Sequence, residues 1–152
     1  MNETVTLDDV KRARARIQDY VRLTPLIPAR PAKAPLHAEG RLSLKLECLQ
    51  IVGSFKARGA SAKLTSLDAD AVQRGLVTAS GGNHGLGVAY AGWRAGAPTR
   101  VYLPQSTSAA KAEKIAAWGA EAIFHGAVWD EANEAALAAA EAEGLTYVHA
   151  FA

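Results

Sequence analysis

The chain of 152 residues has a single cysteine, Cys48, which excludes an internal disulfide and gives no spacing for a zinc site. It also has no uninterrupted apolar run near the ~18 residues that a membrane helix needs. The opening "MNETVTLDDV" carries acids where a secretory signal would carry a basic region and an apolar core. A cytoplasmic protein with reduced thiols is the expectation. Charge of one sign is scarce as well: 17 Lys+Arg against 15 Asp+Glu leave a formal +2, and the one basic cluster, "KRARAR" from Lys11 to Arg16, reads as a solvated helix face. Neither nucleic acid nor membrane is an expected partner.

Several catalytic signatures are missing. No Gly-Lys-Ser/Thr occurs, so there is no P-loop. No Gly-x-Ser-x-Gly occurs, so there is no nucleophile elbow. His37, His84, His125 and His149 are far apart with no ligand spacing, and no metal site is expected. There is no internal repeat and no low-complexity segment.

What is present is the composition of an ordinary globular domain, 49% hydrophobic and 21% charged. Thr6 caps a helix whose first turn holds Asp8 and Asp9, with Val10, Ala13, Ile17 and Val21 on one face. From Thr24-Pro25 to Gly40 the prolines predict irregular chain. "RLSLKLEC", Arg41 to Cys48, alternates and predicts a half-buried strand. Ser54 is the expected N-cap of a helix from Phe55 to about Leu67, rich in residues small enough to let another backbone approach.

From Gly75 onward strand and helix alternate: "LVTAS", then the loop "GGNHG" and a helix, "RVYLP", a helix from about Ser108 to Trp118, "AEAIFHG", "DEANEAALAAAEAE" and "LTYVHAF". Short connections between such segments predict right-handed βαβ units and a mainly parallel sheet with flanking helices in three layers. The acids from Asp130 to Glu143 share a helix with an alanine face and are expected in solvent. Trp93, Trp118 and Trp129 are expected to pack between helices and sheet.

Two loops could carry chemistry. In "QIVGSFKARGA", Lys56 falls in the first turn of its helix, where the positive end of the helix dipole and apolar neighbours disfavour an ammonium. A neutral amine there suits a Schiff base with a carbonyl cofactor, although the pattern alone favours a surface lysine that happens to open a helix, since Gly-Ser before a helix is common punctuation. "SGGNHGLG", Ser80 to Gly87, joins a strand to a helix at the crest where open α/β sheets bind ligands. Its glycines and exposed N–H groups suit a carboxylate or phosphate, although any strand-to-helix turn can use glycine.

Taken in order, "TPL" at Thr24, "LKLECLQIVGSFKARGA" from Leu44, "SGGNHGLGVAYA" from Ser80, "AAKAEKIAAWGAE" from Ala109 and "YVHAF" from Tyr147 resemble the threonine/serine dehydratase family. These are fold-type II pyridoxal-phosphate enzymes, tryptophan synthase beta-like in architecture and related to serine racemase. The resemblance implies that pyridoxal 5'-phosphate is the cofactor, carried by Lys56 as a Schiff base, with Phe55 against its ring and Asn83 bonded to the ring hydroxyl. It implies that Ser80, Gly82, Asn83 and His84 hold the substrate carboxylate. In that chemistry the lysine, displaced by the substrate amine, removes the Cα proton; loss of the β-hydroxyl leaves a 2-keto acid and ammonia.

Gly81 stands where serine racemases carry a second serine that protonates the opposite face, which favours dehydration over racemisation. Sulfhydrylases, which read Ser-x-Lys-Asp-Arg and Gly-Asn-Thr, are disfavoured by "SFKARGA" and "GNHG". Leu86 and Cys48 replace the family's usual glutamine and asparagine. The family runs to about twice this length, so a truncated chain is expected, with residues 1–55 the incomplete N-terminal part of the large domain and 56–152 the small α/β domain. The phosphate cradle and the group facing the ring nitrogen would lie in the other half. A homo-oligomer or a complementing chain is the expected assembly. The alternatives from this reading are a non-catalytic fragment, a serine racemase-like activity, and a stand-alone anion-binding module using Ser80 to Gly87.

Overall fold

A computed structural model describes residues 4–30, 33–34 and 40–150; His37 lies outside them. The chain opens with α1 (Leu7–Ile17), capped as the sequence predicts: Thr6 accepts from the Asp9 amide and the Asp9 carboxylate accepts from the Thr6 amide. Ile17 is buried, whereas Val10 stays exposed and lines an open apolar groove between α1 and α2 with Ala13, Ile17 and Val21. The basic run is solvated, with Lys11 and Arg12 paired to Asp8 and Asp9 on the same helix.

The region after α1 departs from expectation. Leu26–Pro28 (β1) and Ser43–Lys45 (β2) form an antiparallel pair with both strands exposed. The predicted half-buried strand over Arg41 to Cys48 is therefore three residues long, and Glu47–Leu49 turns into a 3₁₀ segment. Without a covered face, alternation in that stretch marks pairing and not burial.

Helix α2 (Lys56–Leu64) also starts later than predicted. Phe55, and not Ser54, is its N-cap residue, with the Arg58 amide closing a tight turn on the Phe55 carbonyl at 2.9 Å. Ser54 is turned inward, where its hydroxyl is buried and makes no hydrogen bond. Lys56 is thus the first residue of the helix. The far end stops at Leu64, with the Thr65 hydroxyl bonded back to the Ser61 carbonyl at 2.9 Å. A short helix the sequence reading did not include, α3 (Ala69–Arg74), follows and is capped by Asp68.

The rest follows the predicted alternation: β3 (Leu76–Ala79), α4 (Asn83–Ala95), β4 (Thr99–Leu103), α5 (Ala109–Ala116), β5 (Glu121–Phe124), α6 (Trp129–Glu143) and β6 (Thr146–Tyr147). The sheet is parallel throughout in the order β5-β4-β3-β6. Central β3 is buried along its whole length. Leu76, Val101 and Leu103 face α2, α4 and α5, packing with Leu64, Val88, Ala89 and Ile115. Val77 and Ala79 face α6, whose Ala132 and Ala136 are fully buried. Each fully buried branched side chain contributes about 1.5–3 kcal/mol, so both faces of the sheet are held.

The alanine face of α6 is in the core as predicted, and its acids lie outside, where Glu143 pairs with Arg100 at 2.6 Å. Of the tryptophans, Trp93 is 55% exposed, stacked edgewise on Trp118 at 5.2 Å instead of wedged against the sheet. Trp129 is also partly exposed, anchored by its indole N–H to the Ala79 carbonyl at 2.9 Å. Among the described residues no helix is long and apolar enough to cross a membrane.

Candidate active site

Two chain crossings build the site. The first places α4 directly against the start of α2, through Gly87 on one side and Lys56 on the other. The second is the end of β6, whose continuation Val148-His149-Ala150 passes the same helix start. Lys56 Nζ donates to the Ala150 carbonyl at 2.7 Å and lies 5.3 Å from the centre of the Phe55 ring. Around this amine is a cavity of about 240 Å3 lined by Phe55, Lys56, Lys63, His84, Tyr147 and His149, among others. No acid lines it.

His84 is buried, with Nε2 3.0 Å from both the Thr78 hydroxyl and the Val148 carbonyl. The Thr78 hydroxyl itself donates to that carbonyl at 2.7 Å. Since its one proton is so used, we assign the Nε2–H tautomer to His84, shared between the two oxygens. Burial is the main reason its pKa lies below the usual 6.5; the nearby Lys56 and His149 push the same way, and the bond to Val148 opposes them. The ring is therefore neutral and ties the loop to β6, leaving the backbone amide as what His84 offers a ligand.

The sequence-named residues thus fall into two groups. Phe55, Lys56 and His84 share the cavity. Ser80, Gly82 and Asn83 sit beside it on the crest of β3, at the N-terminal end of α4. Gly82 and Asn83 are exposed, and the Asn83 side chain makes no hydrogen bond with any described residue. The Gly82 amide donates to Ser80 Oγ at 3.2 Å. Over Gly82 the space is open, since a Cβ there would meet only Ser80 Oγ, at 3.9 Å. The first amides of α4 have no carbonyl a turn behind them, and the helix dipole adds positive potential there.

One polar cluster has no counterpart in the sequence reading. Arg58 Nε and Nη2 donate to the two Glu47 oxygens, each at 2.8 Å, and the Thr24 hydroxyl donates to the same carboxylate at 2.5 Å. The guanidinium holds the Glu47 carboxyl down at about 2, against an ordinary 4.5. Gln50, also buried, bonds both backbone groups of Arg22. These ties fix the segment that leads into Phe55 and Lys56. Spacing gave no signal for them, because the partners are 11 to 28 residues apart.

The arrangement fits a pyridoxal-phosphate ring. A primary amine stands at the cavity beside a Phe55 ring that is 58% exposed, and a side-chain amide with both donor and acceptor unused lies on the neighbouring crest. A fold-type II architecture and such an amine define a class, and comparison with known proteins gives the same class. The family model described as "Pyridoxal-phosphate dependent enzyme" matches residues 17–152, and the chain belongs to that family.

Among its relatives is the L-threonine ammonia-lyase of Thermotoga maritima, 39% identical over 150 residues, which cover 97% of this chain and 36% of that protein. A catabolic L-threonine dehydratase of Staphylococcus aureus is 34% identical over 147 residues, covering 97% of this chain and 42% of the relative. In structure it resembles maize serine racemase, with a TM-score of 0.84 and 30% identity over 97% of this chain and 44% of the other. The chain spans less than half the length of these relatives.

Proposed function

We propose that this chain carries the lysine-bearing part of a pyridoxal-phosphate-dependent ammonia-lyase that converts threonine or serine to a 2-keto acid and ammonia. The observation that carries the reading is the Lys56 amine, held at a cavity between Phe55 and His84 beside an exposed, glycine-rich strand crest. Lys56 would hold the cofactor, Phe55 would cover one face of its ring and Asn83 would bond its hydroxyl. The bound cofactor supplies an electron sink for charge developing at the substrate Cα.

The remaining work falls to the chain. Ser80, the amides of Gly82 and His84, and Asn83 orient the substrate carboxylate at the positive end of α4. The Lys56 amine, when not bonded to the cofactor, takes the Cα proton. His84, neutral and turned toward Thr78 and Val148, keeps the crest in place. Gly81 brings no proton donor of its own, which supports dehydration over racemisation. We further propose the division into residues 1–55, belonging with a large domain, and 56–152, a small domain. A cytoplasmic setting and assembly as a homo-oligomer or with a complementing chain belong to the same reading.

The test is to incubate the chain with pyridoxal phosphate, reduce with borohydride and locate the phosphopyridoxyl adduct by peptide mass spectrometry. An adduct confined to Lys56, absent in Lys56→Ala, is the expected result. Adducts spread over many lysines would overturn the assignment of Lys56.

A further inference from the structure

Gly81 is not glycine for its backbone, because its φ is not positive. Its neighbour explains it. A Cβ at position 81 would lie 2.3 Å from Thr107 Oγ1, 2.9 Å from Thr107 Cγ2 and 3.1 Å from Thr107 Cβ. The threonine therefore fills the volume that a side chain at 81 would use, and it brings a hydroxyl to that place from a different loop.

That loop is well fixed. It runs from β4 to α5, with the Gln105 amide bonded to the Gly126 carbonyl at 2.9 Å and the Thr107 amide to the Pro104 carbonyl at 2.8 Å. Strands β3 and β4 are adjacent and parallel, with Ala79 beside Tyr102, so both loops rise from the same crest. Thr107 is half-buried, yet its hydroxyl makes no hydrogen bond with any described residue. An unused hydroxyl held against Gly81, whose chain neighbour Gly82 has open space over it, is a donor waiting for an acceptor.

We propose that Thr107 Oγ1 donates a hydrogen bond to the carboxylate of the amino-acid substrate, completing from β4 the site that Ser80 to His84 begin from β3. This rests on the reading above in one respect, that the crest binds an amino acid. A carboxylate is the acceptor that fits, since the groups around it are amides, hydroxyls and a helix N-terminus, and the cavity that His84 shares is lined by Lys56 and Lys63 and, among the described residues, by no acid.

The test is calorimetric titration of the pyridoxal-phosphate-treated chain with L-threonine, comparing wild type, Thr107→Val, Thr107→Ser and the double variant Gly81→Ser/Thr107→Ala, with thermal melts of each. Thr107→Val keeps the shape and removes only an unpartnered hydroxyl, so its Tm should equal or exceed that of the wild type. Its affinity for L-threonine should fall about tenfold, the usual scale of one hydrogen bond to a charged group. Thr107→Ser should bind as wild type, and the double variant, which returns a hydroxyl from the other loop, should recover most of the loss.

Equal affinity of Thr107→Val and wild type would overturn the proposal and leave Thr107 as packing for Gly81. So would failure of the wild type to bind L-threonine while still forming the Lys56 adduct. Failure of both the adduct and L-threonine binding would instead overturn the functional reading on which the proposal stands.

Discussion

Gly87 of α4 lies against the first peptide of α2: a Cβ on it would stand 3.0 Å from both the carbonyl carbon and the carbonyl oxygen of Lys56. The lysine owes its position to that missing side chain. Helix propensity alone would make Gly87→Ala stabilising by about 1 kcal/mol, whereas overpacking of two backbones costs about 1–3 kcal/mol. The second effect wins, and Gly87→Ala should lower Tm and reduce the trapped Lys56 adduct together. Gly85→Ala should do more harm, since its Cβ would come within 2.1 Å of the Ser80 carbonyl oxygen. The reverse order in thermal melts would mean that the loop contact at Gly85 is softer than the helix contact at Gly87.

Glu47→Gln tests the polar tie beneath Lys56. Glu47 and Arg58 are partly shielded, with side chains 19% and 32% exposed, so the pair falls between surface ion pairs worth up to about 1 kcal/mol and buried ones whose breakage costs about 3–5 kcal/mol. A loss of about 1–3 kcal/mol in urea unfolding is expected. The folded-state pKa is depressed, from 4.5 to about 2, so the contribution is complete above pH 4.5 and disappears as pH falls toward 2. The gap between wild type and Glu47→Gln should therefore close over that window. A gap independent of pH would show that the carboxylate charge is not its source.

Tyr90→Phe addresses how the N-terminal segment is held to the α/β unit. Tyr90 is almost fully buried, stacks edgewise on Trp118 at 5.1 Å and donates its hydroxyl to the Tyr20 carbonyl at 2.6 Å. Removing the hydroxyl leaves ring packing intact and the carbonyl short of a donor, a cost of about 1–2 kcal/mol. Tyr90→Ala should cost more, about 3–5 kcal/mol, by opening a cavity among Val52, Ala57 and Trp118. Equal destabilisation by the two variants would place the whole effect in the hydrogen bond.

The sequence made the half of the chain after Gly75 readable because each strand there is a short apolar run between turn residues and each helix has one covered face. Before Gly75 the same cues misled. β1 and β2 are both exposed, so a pattern suggestive of burial had no core behind it, and Ser54 carried the chemistry of a cap while its hydroxyl was needed by no amide. At the site, Lys56 and the crest were visible as local motifs. What was not visible was distance. Glu47 reaches Arg58, His84 reaches Val148 and Thr107 reaches Gly81 across separations that no window of sequence covers.

His84 gives the sharpest pH prediction. Its pKa in the folded protein lies below the ordinary 6.5, chiefly because the ring is buried, so below about pH 6.5 the unfolded chain takes up a proton that the folded one resists. Stability therefore falls as pH drops through this range and is unaffected by His84 above it. Wild-type Tm should decline between pH 7 and pH 5. His84→Gln, which can still donate toward the Val148 carbonyl but cannot titrate, should be less stable at pH 7.5 yet nearly flat over the same interval. Because Glu47 titrates at lower pH and Tyr90 at higher, neither can mimic this slope. An equally steep decline in His84→Gln would show that the titration does not belong to His84.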